Sequence, residues 1–78
     1  MERQSSRSLF LDELGRALEI VENAPGIGRL YRPSPVAQVR RLLLKISRYH
    51  VYYVPLERQI VVLAVWHAQR GVGPPLRD

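Results

Sequence analysis

Arg48–Val54 (RYHVYYV) and Val61–Gly71 (VVLAVWHAQRG) are the two stretches on which the fold turns. The first alternates two kinds of side chain. The second is a β-branched, apolar run that ends abruptly in His67, Gln69 and Arg70. Period-two alternation and β-branched enrichment mark strands, so the pair reads as a hairpin with strands over 49–54 and 60–66. Pro55–Gln59 is the connecting loop, and the hairpin gathers polar and basic groups at one end.

Working toward the N-terminus, Ser47-Arg48 reads as a tight turn and Val39–Ile46 as an earlier strand. One face of that strand carries Val39, Arg41, Leu43 and Lys45, and the other Arg40, Leu42, Leu44 and Ile46. The second face is the more apolar and is expected to meet a helix. That helix is written in Phe10, Leu14, Ala17, Leu18 and Val21, which recur at three- and four-residue spacing with Leu11 at the margin. Serines 5, 6 and 8 are cap-type residues ahead of it, and Ala24-Pro25-Gly26 stops it, giving a helix over about 8–23. Gly15 inside it costs about 1 kcal/mol relative to Ala, which suggests close packing of the helix on a sheet. Gly26–Gln38, with Gly28, Pro33 and Pro35, reads as an irregular crossing, and residues 71–78 as an unstructured tail. The expected class is α+β: an N-terminal amphipathic helix packed on one face of a three-stranded antiparallel meander. Both edges of so small a sheet stay open unless something covers them.

Composition bounds what such a chain can do. At 78 residues it is one domain at most, and its core is thin. With 46% hydrophobic and 24% charged residues it is a folding chain rather than a disordered one. It contains no cysteine, which removes disulfides, thiolate metal sites and thiol nucleophiles. Met1–Ser8 is polar, and the longest apolar run, Ile60–Trp66, is too short to span a bilayer, so the expectation is a soluble cytoplasmic protein without membrane contact. The net charge of +5 is unevenly placed. Residues 1–23 carry three Arg against five acids, a balance of −2, whereas residues 24–78 carry nine bases against Glu57 and Asp78, a balance of +7. Eleven of the twelve bases are Arg, which suits bidentate pairing with carboxylate or phosphate.

Several side chains could use that charge. Arg48, His50, Tyr52, His67 and Arg70 are expected near the turn and strand ends, where His can trade protons near neutral pH and Arg can hold an anion. The same set also reads as a solvated basic sheet end that contacts a protein. Arg29, Tyr31, Arg32, Arg40 and Arg41 suit either a phosphate track or an acidic protein partner. The tyrosines at 49, 52 and 53 either stack on bases or fill the core. His67 is either a binding group or a strand-terminal His with a local hydrogen bond. Two His without Cys or paired carboxylates argue against a metal, and no phosphate loop or hydrolase motif occurs, so no cofactor is expected.

Pro25-Gly26-Ile27-Gly28-Arg29-Leu30-Tyr31-Arg32, Val39-Arg40-Arg41-Leu42-Leu43-Leu44, Arg48–Val54 and Ala64-Val65-Trp66-His67-Ala68-Gln69-Arg70-Gly71, in that order and spacing, resemble the RelE/ParE superfamily of bacterial type II toxins. The resemblance covers about Leu9–Gly71 and implies that residues 1–78 form one toxin-like domain, paired with a co-encoded antitoxin and associated with plasmid stabilisation. The ParE-like branch inhibits DNA gyrase; the RelE-like branch cleaves messenger RNA on the ribosome. Carried across, two basic positions of the RelE pattern fall on Arg41 and Leu43, the middle-strand arginine on His50, and the arginine after the last strand near His67-Ala68. The C-terminal tyrosine has no counterpart, since no aromatic follows Trp66. The RYHVYYV and VWHAQRG stretches look more like ParE, so the gyrase-directed branch is the expectation.

The resemblance implies target or antitoxin contacts through Arg29, Arg32, Arg40, Arg41, Arg48, His50, Tyr52, His67 and Arg70. An alternative ribonuclease would use Arg41, His50, His67 and Arg70, and a third alternative is an inactive remnant. Family toxins begin with a further strand and helical segment, so the resemblance implies either a shortened form or a true start upstream of Met1. A missing strand is expected to leave a sheet edge or groove for the antitoxin or for a second copy, as hetero-complex or homo-oligomer.

Overall fold

The computed structural model describes residues 6–69 and 73–76. Helix α1 spans Ser6–Asn23. Its stripe behaves as its spacing requires: Ala17 and Val21 are buried, Phe10, Leu14 and Leu18 half-buried, and Leu11 is exposed at the margin. Ala24 N–H still donates to Ile20 O at 2.8 Å, and Pro25, which has no N–H to continue the ladder, opens a single 3₁₀ turn over Pro25–Ile27.

Four strands follow: β1 (Arg29–Leu30), β2 (Arg40–Leu44), β3 (Tyr49–Pro55) and β4 (Ile60–His67). They form one antiparallel sheet in the order β1-β2-β3-β4. The class is α+β as expected, but the sheet has four strands rather than three. The added strand lies inside the stretch read as irregular. It is two residues long, too short for alternation to register, and it forms because Arg29 and Leu30 pair with Arg41 and Arg40 on the open edge of β2. The bond from Tyr31 N–H to Val39 O, 2.8 Å, extends that pairing.

β2 is also shorter than 39–46. Lys45 and Ile46 belong to a four-residue turn over 45–48, closed by Arg48 N–H to Leu44 O at 2.8 Å, with Arg48 in the left-handed region at φ 66°. The wider turn is held from across the fold. The Glu13 carboxylate of α1 accepts the Ile46 N–H on Oε2 at 2.7 Å and the Ser47 N–H on Oε1 at 2.9 Å. Ile46, expected on the helix-facing side of a strand, is 67% exposed instead.

Period two then sorts the sheet into faces. By register, Arg40, Leu42, Leu44, Tyr49, Val51, Tyr53, Val65 and His67 share the helix side. Ala17, Leu44 and Val51 form the core there, with Phe10, Leu14, Leu42 and Tyr49 packed on it. Tyr53 is fully buried; its hydroxyl donates to Pro25 O at 2.8 Å and accepts from Gly28 N–H at 2.9 Å. Gly28 is the glycine that the packing requires. A Cβ there would stand 2.7 Å from the Tyr53 hydroxyl and 3.1 Å from Arg41 O. Gly15, expected to mark close packing, is exposed, and a Cβ there would meet nothing within 4 Å, so its reading is corrected. Of the tail expected over 71–78, residues 71, 72, 77 and 78 lie outside the described residues; residues 73–76 have no regular secondary structure, Pro74 is buried, and Leu76 N–H donates to Pro74 O at 2.9 Å.

Candidate functional site

The open face, turned away from α1, carries Arg29, Arg41, His50, Tyr52 and Trp66 by register. Arg29 and Arg41 stand directly opposite each other on neighbouring strands. Like charges in that position destabilise a ladder, so the pair is a place where an anionic group would be welcome. Arg41 is also drawn over the Tyr31 ring, 5.4 Å from its centroid. Tyr31 in turn meets Tyr52 edge-on at 4.8 Å and 78°. His50 lies 6.1 Å from the Tyr52 ring. Tyr52 is only 2% exposed, so it is the floor of this cluster, while Tyr31 and Arg41 form its wall.

Burial, and then the positive charge of Arg41, lower the pKa of His50 below its ordinary 6.5. Near neutral pH it is an uncharged imidazole, able to accept a proton or a hydrogen bond but adding no positive charge to the patch.

The remaining expected site residues are dispersed. Arg40 points to the helix side and braces the chain's own backbone, with Nη1 donating to Gly28 O at 2.5 Å and to Gly26 O at 3.2 Å. Arg32 and Arg48 are exposed, the latter at the left-handed turn position. Arg70 lies outside the described residues.

His67 is on the helix side. Its ring meets Tyr49 edge-on at 4.9 Å, Tyr49 meets Phe10 at 5.0 Å, and its Nδ1 accepts the Gln69 N–H at 3.2 Å. His50 and His67 therefore face opposite ways. The cause is a bulge in β4. Pro55, Val54 and Tyr53 pair with Ile60, Val61 and Val62, but Tyr52 pairs with Ala64, leaving Leu63 as an extra residue. One extra residue moves everything after it to the other face. Without it, His50 and His67 would share a side. Among the described residues, the expected cluster of Arg48, His50, Tyr52 and His67 is thus reduced to His50 and Tyr52 with Arg41. Tyr31 was visible as part of a basic stretch, but its place against Tyr52 depends on the two-residue β1, which has no sequence signal of its own.

Among the described residues no group of three or more His, Asp or Glu lies close enough to hold a metal ion. No helix among them is long and apolar enough to cross a membrane. One open sheet face with a cationic edge lies on a thin, helix-backed α+β scaffold. The family model of the ParE toxin of type II toxin-antitoxin systems, parDE, matches residues 2–72, and the chain belongs to that family. It is a type II toxin, and membership implies an antitoxin partner. No curated protein and no solved structure matches the chain.

Proposed function

We propose that this chain inhibits DNA gyrase through protein contacts, in the cytoplasm, as a plasmid-stabilising toxin that its cognate antitoxin neutralises. The observation that carries the reading is the parting of the two histidines. Proton-transfer chemistry on one substrate needs its groups within about 3 Å of the reacting atoms, and His50 and His67 lie on opposite sides of the sheet. What gathers instead is a cation–aromatic surface, Arg29, Arg41, Tyr31 and Tyr52, suited to contact rather than catalysis. Arg32 and Arg48 are exposed elsewhere on the chain and add to its positive charge. An antitoxin segment with acidic and apolar groups would complement the +7 balance of residues 24–78.

A supercoiling assay tests the reading. Purified chain should block gyrase-driven supercoiling and accumulate cleaved DNA, and Arg41→Glu should weaken this by about tenfold or more, as reversal of a docking charge does. Ribosome-dependent messenger cuts without any effect on gyrase would replace this reading with the ribonuclease one. No growth effect and no gyrase effect would leave an inactive remnant.

A further inference from the structure

The open face is not bare. Gly73 approaches Tyr31 so closely that no Cβ fits between its backbone and the Tyr31 hydroxyl. The next residue, Pro74, is buried, although proline is mostly an exposed residue in folded proteins. Leu76 N–H closes a three-residue turn on Pro74 O at 2.9 Å. Gly73-Pro74-Pro75-Leu76 carries no charge, so it does not neutralise Arg29 or Arg41; its contact with the face is made where Gly73 meets the Tyr31 hydroxyl end. Two adjacent prolines have their φ fixed before binding, so seating them costs little further backbone entropy. Tyr31 is itself held still, its ring edge-on to Tyr52 and under the Arg41 guanidinium. A tyrosine that meets the residue leading into a pair of prolines is the kind of aromatic contact on which proline-rich segments dock.

We propose that Tyr31, braced by Tyr52 and Arg41, is a binding cradle for a glycine–proline–proline segment, and that Gly73–Leu76 is its resident ligand, lying as a strap beside the cationic pair. A macromolecule that docks on Arg29 and Arg41 meets this strap and must share the face with it or displace it. The inference does not depend on gyrase being the target.

Tyrosine nitration by tetranitromethane, read residue by residue by mass spectrometry, tests it on the full chain. Pro74→Asp puts a charge where the buried ring sits and lifts the strap without pushing on Tyr31. The nitration rate of Tyr31 should rise at least about fivefold, as for a local opening, while Tyr53 on the helix side stays unchanged. A synthetic peptide of residues 71–78, added to this variant at millimolar concentration to match what the tether supplies in cis, should return Tyr31 toward its wild-type rate. The same peptide carrying Pro74→Asp should not. An unchanged Tyr31 rate overturns the proposal. So does a rise of all four tyrosines together, which would make the tail a support of the whole fold, and so does equal protection, or none, from the two peptides. Because no gyrase enters the measurement, failure here leaves the toxin reading standing, and a failed supercoiling assay leaves this one.

Discussion

Gly15 occupies a helical position where nothing stands within 4 Å of a prospective side chain. Gly15→Ala should therefore stabilise the chain by about 1 kcal/mol, from helix propensity alone, as read by urea denaturation. No gain would mean that helix propensity does not limit stability at this position. Two other residues set the response to acid. Partial burial of Glu13 opposes ionisation, but the Ile46 and Ser47 amides, the Ser47 side chain and Arg16 outweigh it, and its pKa lies below the ordinary 4.5. The unfolded chain then takes up the proton first as pH falls. The stability Glu13 contributes is complete above about 4.5 and is lost as pH drops through the folded value. His50 works in the same direction at higher pH. Kept neutral by burial and by Arg41, it binds its proton less readily folded than unfolded, so stability declines as pH falls below 6.5. Thermal melts from pH 8 to pH 3 should show both steps. His50→Asn should remove the upper one and Glu13→Gln the lower.

Between elements, the fold depends on a clamp that joins the 3₁₀ turn to the sheet. Tyr53 hydroxyl bridges Pro25 O and Gly28 N–H while Arg40 holds Gly26 O and Gly28 O. Gly28→Ala forces a methyl against the tip of Tyr53 and against Arg41 O, and the backbone oxygen cannot swing aside. It should cost about 1–3 kcal/mol, the usual range for overpacking, whereas Tyr53→Phe should cost about 1–2 kcal/mol by leaving Gly28 N–H and Pro25 O without their partner. Denaturant midpoints at constant m-value would measure both. Little of this clamp was legible in the sequence, because Tyr53 reaches partners 25 and 28 positions away with no periodic mark. What was legible is what repeats. The α1 stripe persists over several turns, and β3 and β4 carry runs of seven and eight residues. A two-residue β1 has no repeat to detect, and Lys45-Ile46 continued an alternation that the Glu13-held turn breaks. The candidate site was half legible for the same reason. Arg41, His50 and Tyr52 follow strand parity, but the Leu63 bulge reverses parity for His67, and Arg40 is claimed by carbonyls that only the fold brings near.

At the scale of the molecule, β4 is the last strand in the order of the described sheet and so an edge strand. Its sequence, Ile60–His67, contains no proline and no Lys, Arg, Asp or Glu, the residues that ordinarily discourage pairing between edges. The Leu63 bulge is a protective device along it. Behind the sheet lies a thin core, so the isolated chain has little stability with which to resist association. Charge acts the other way: at +5, copies repel one another at long range. These two effects respond oppositely to salt. Screening shortens the reach of the repulsion to about 8 Å at physiological ionic strength and leaves edge pairing untouched. The isolated chain should therefore self-associate more as salt rises, visible in sedimentation velocity as a concentration-dependent shift to larger species. Val62, 41% exposed on this strand, is the place to install a guard. Val62→Lys should shift the onset of association to higher protein concentration without altering the circular dichroism spectrum. Association that salt weakens would point to ionic contacts instead of the edge. A wild-type chain that stays monomeric and unfolds cooperatively at every concentration and salt tested would mean that the bulge alone is protection enough.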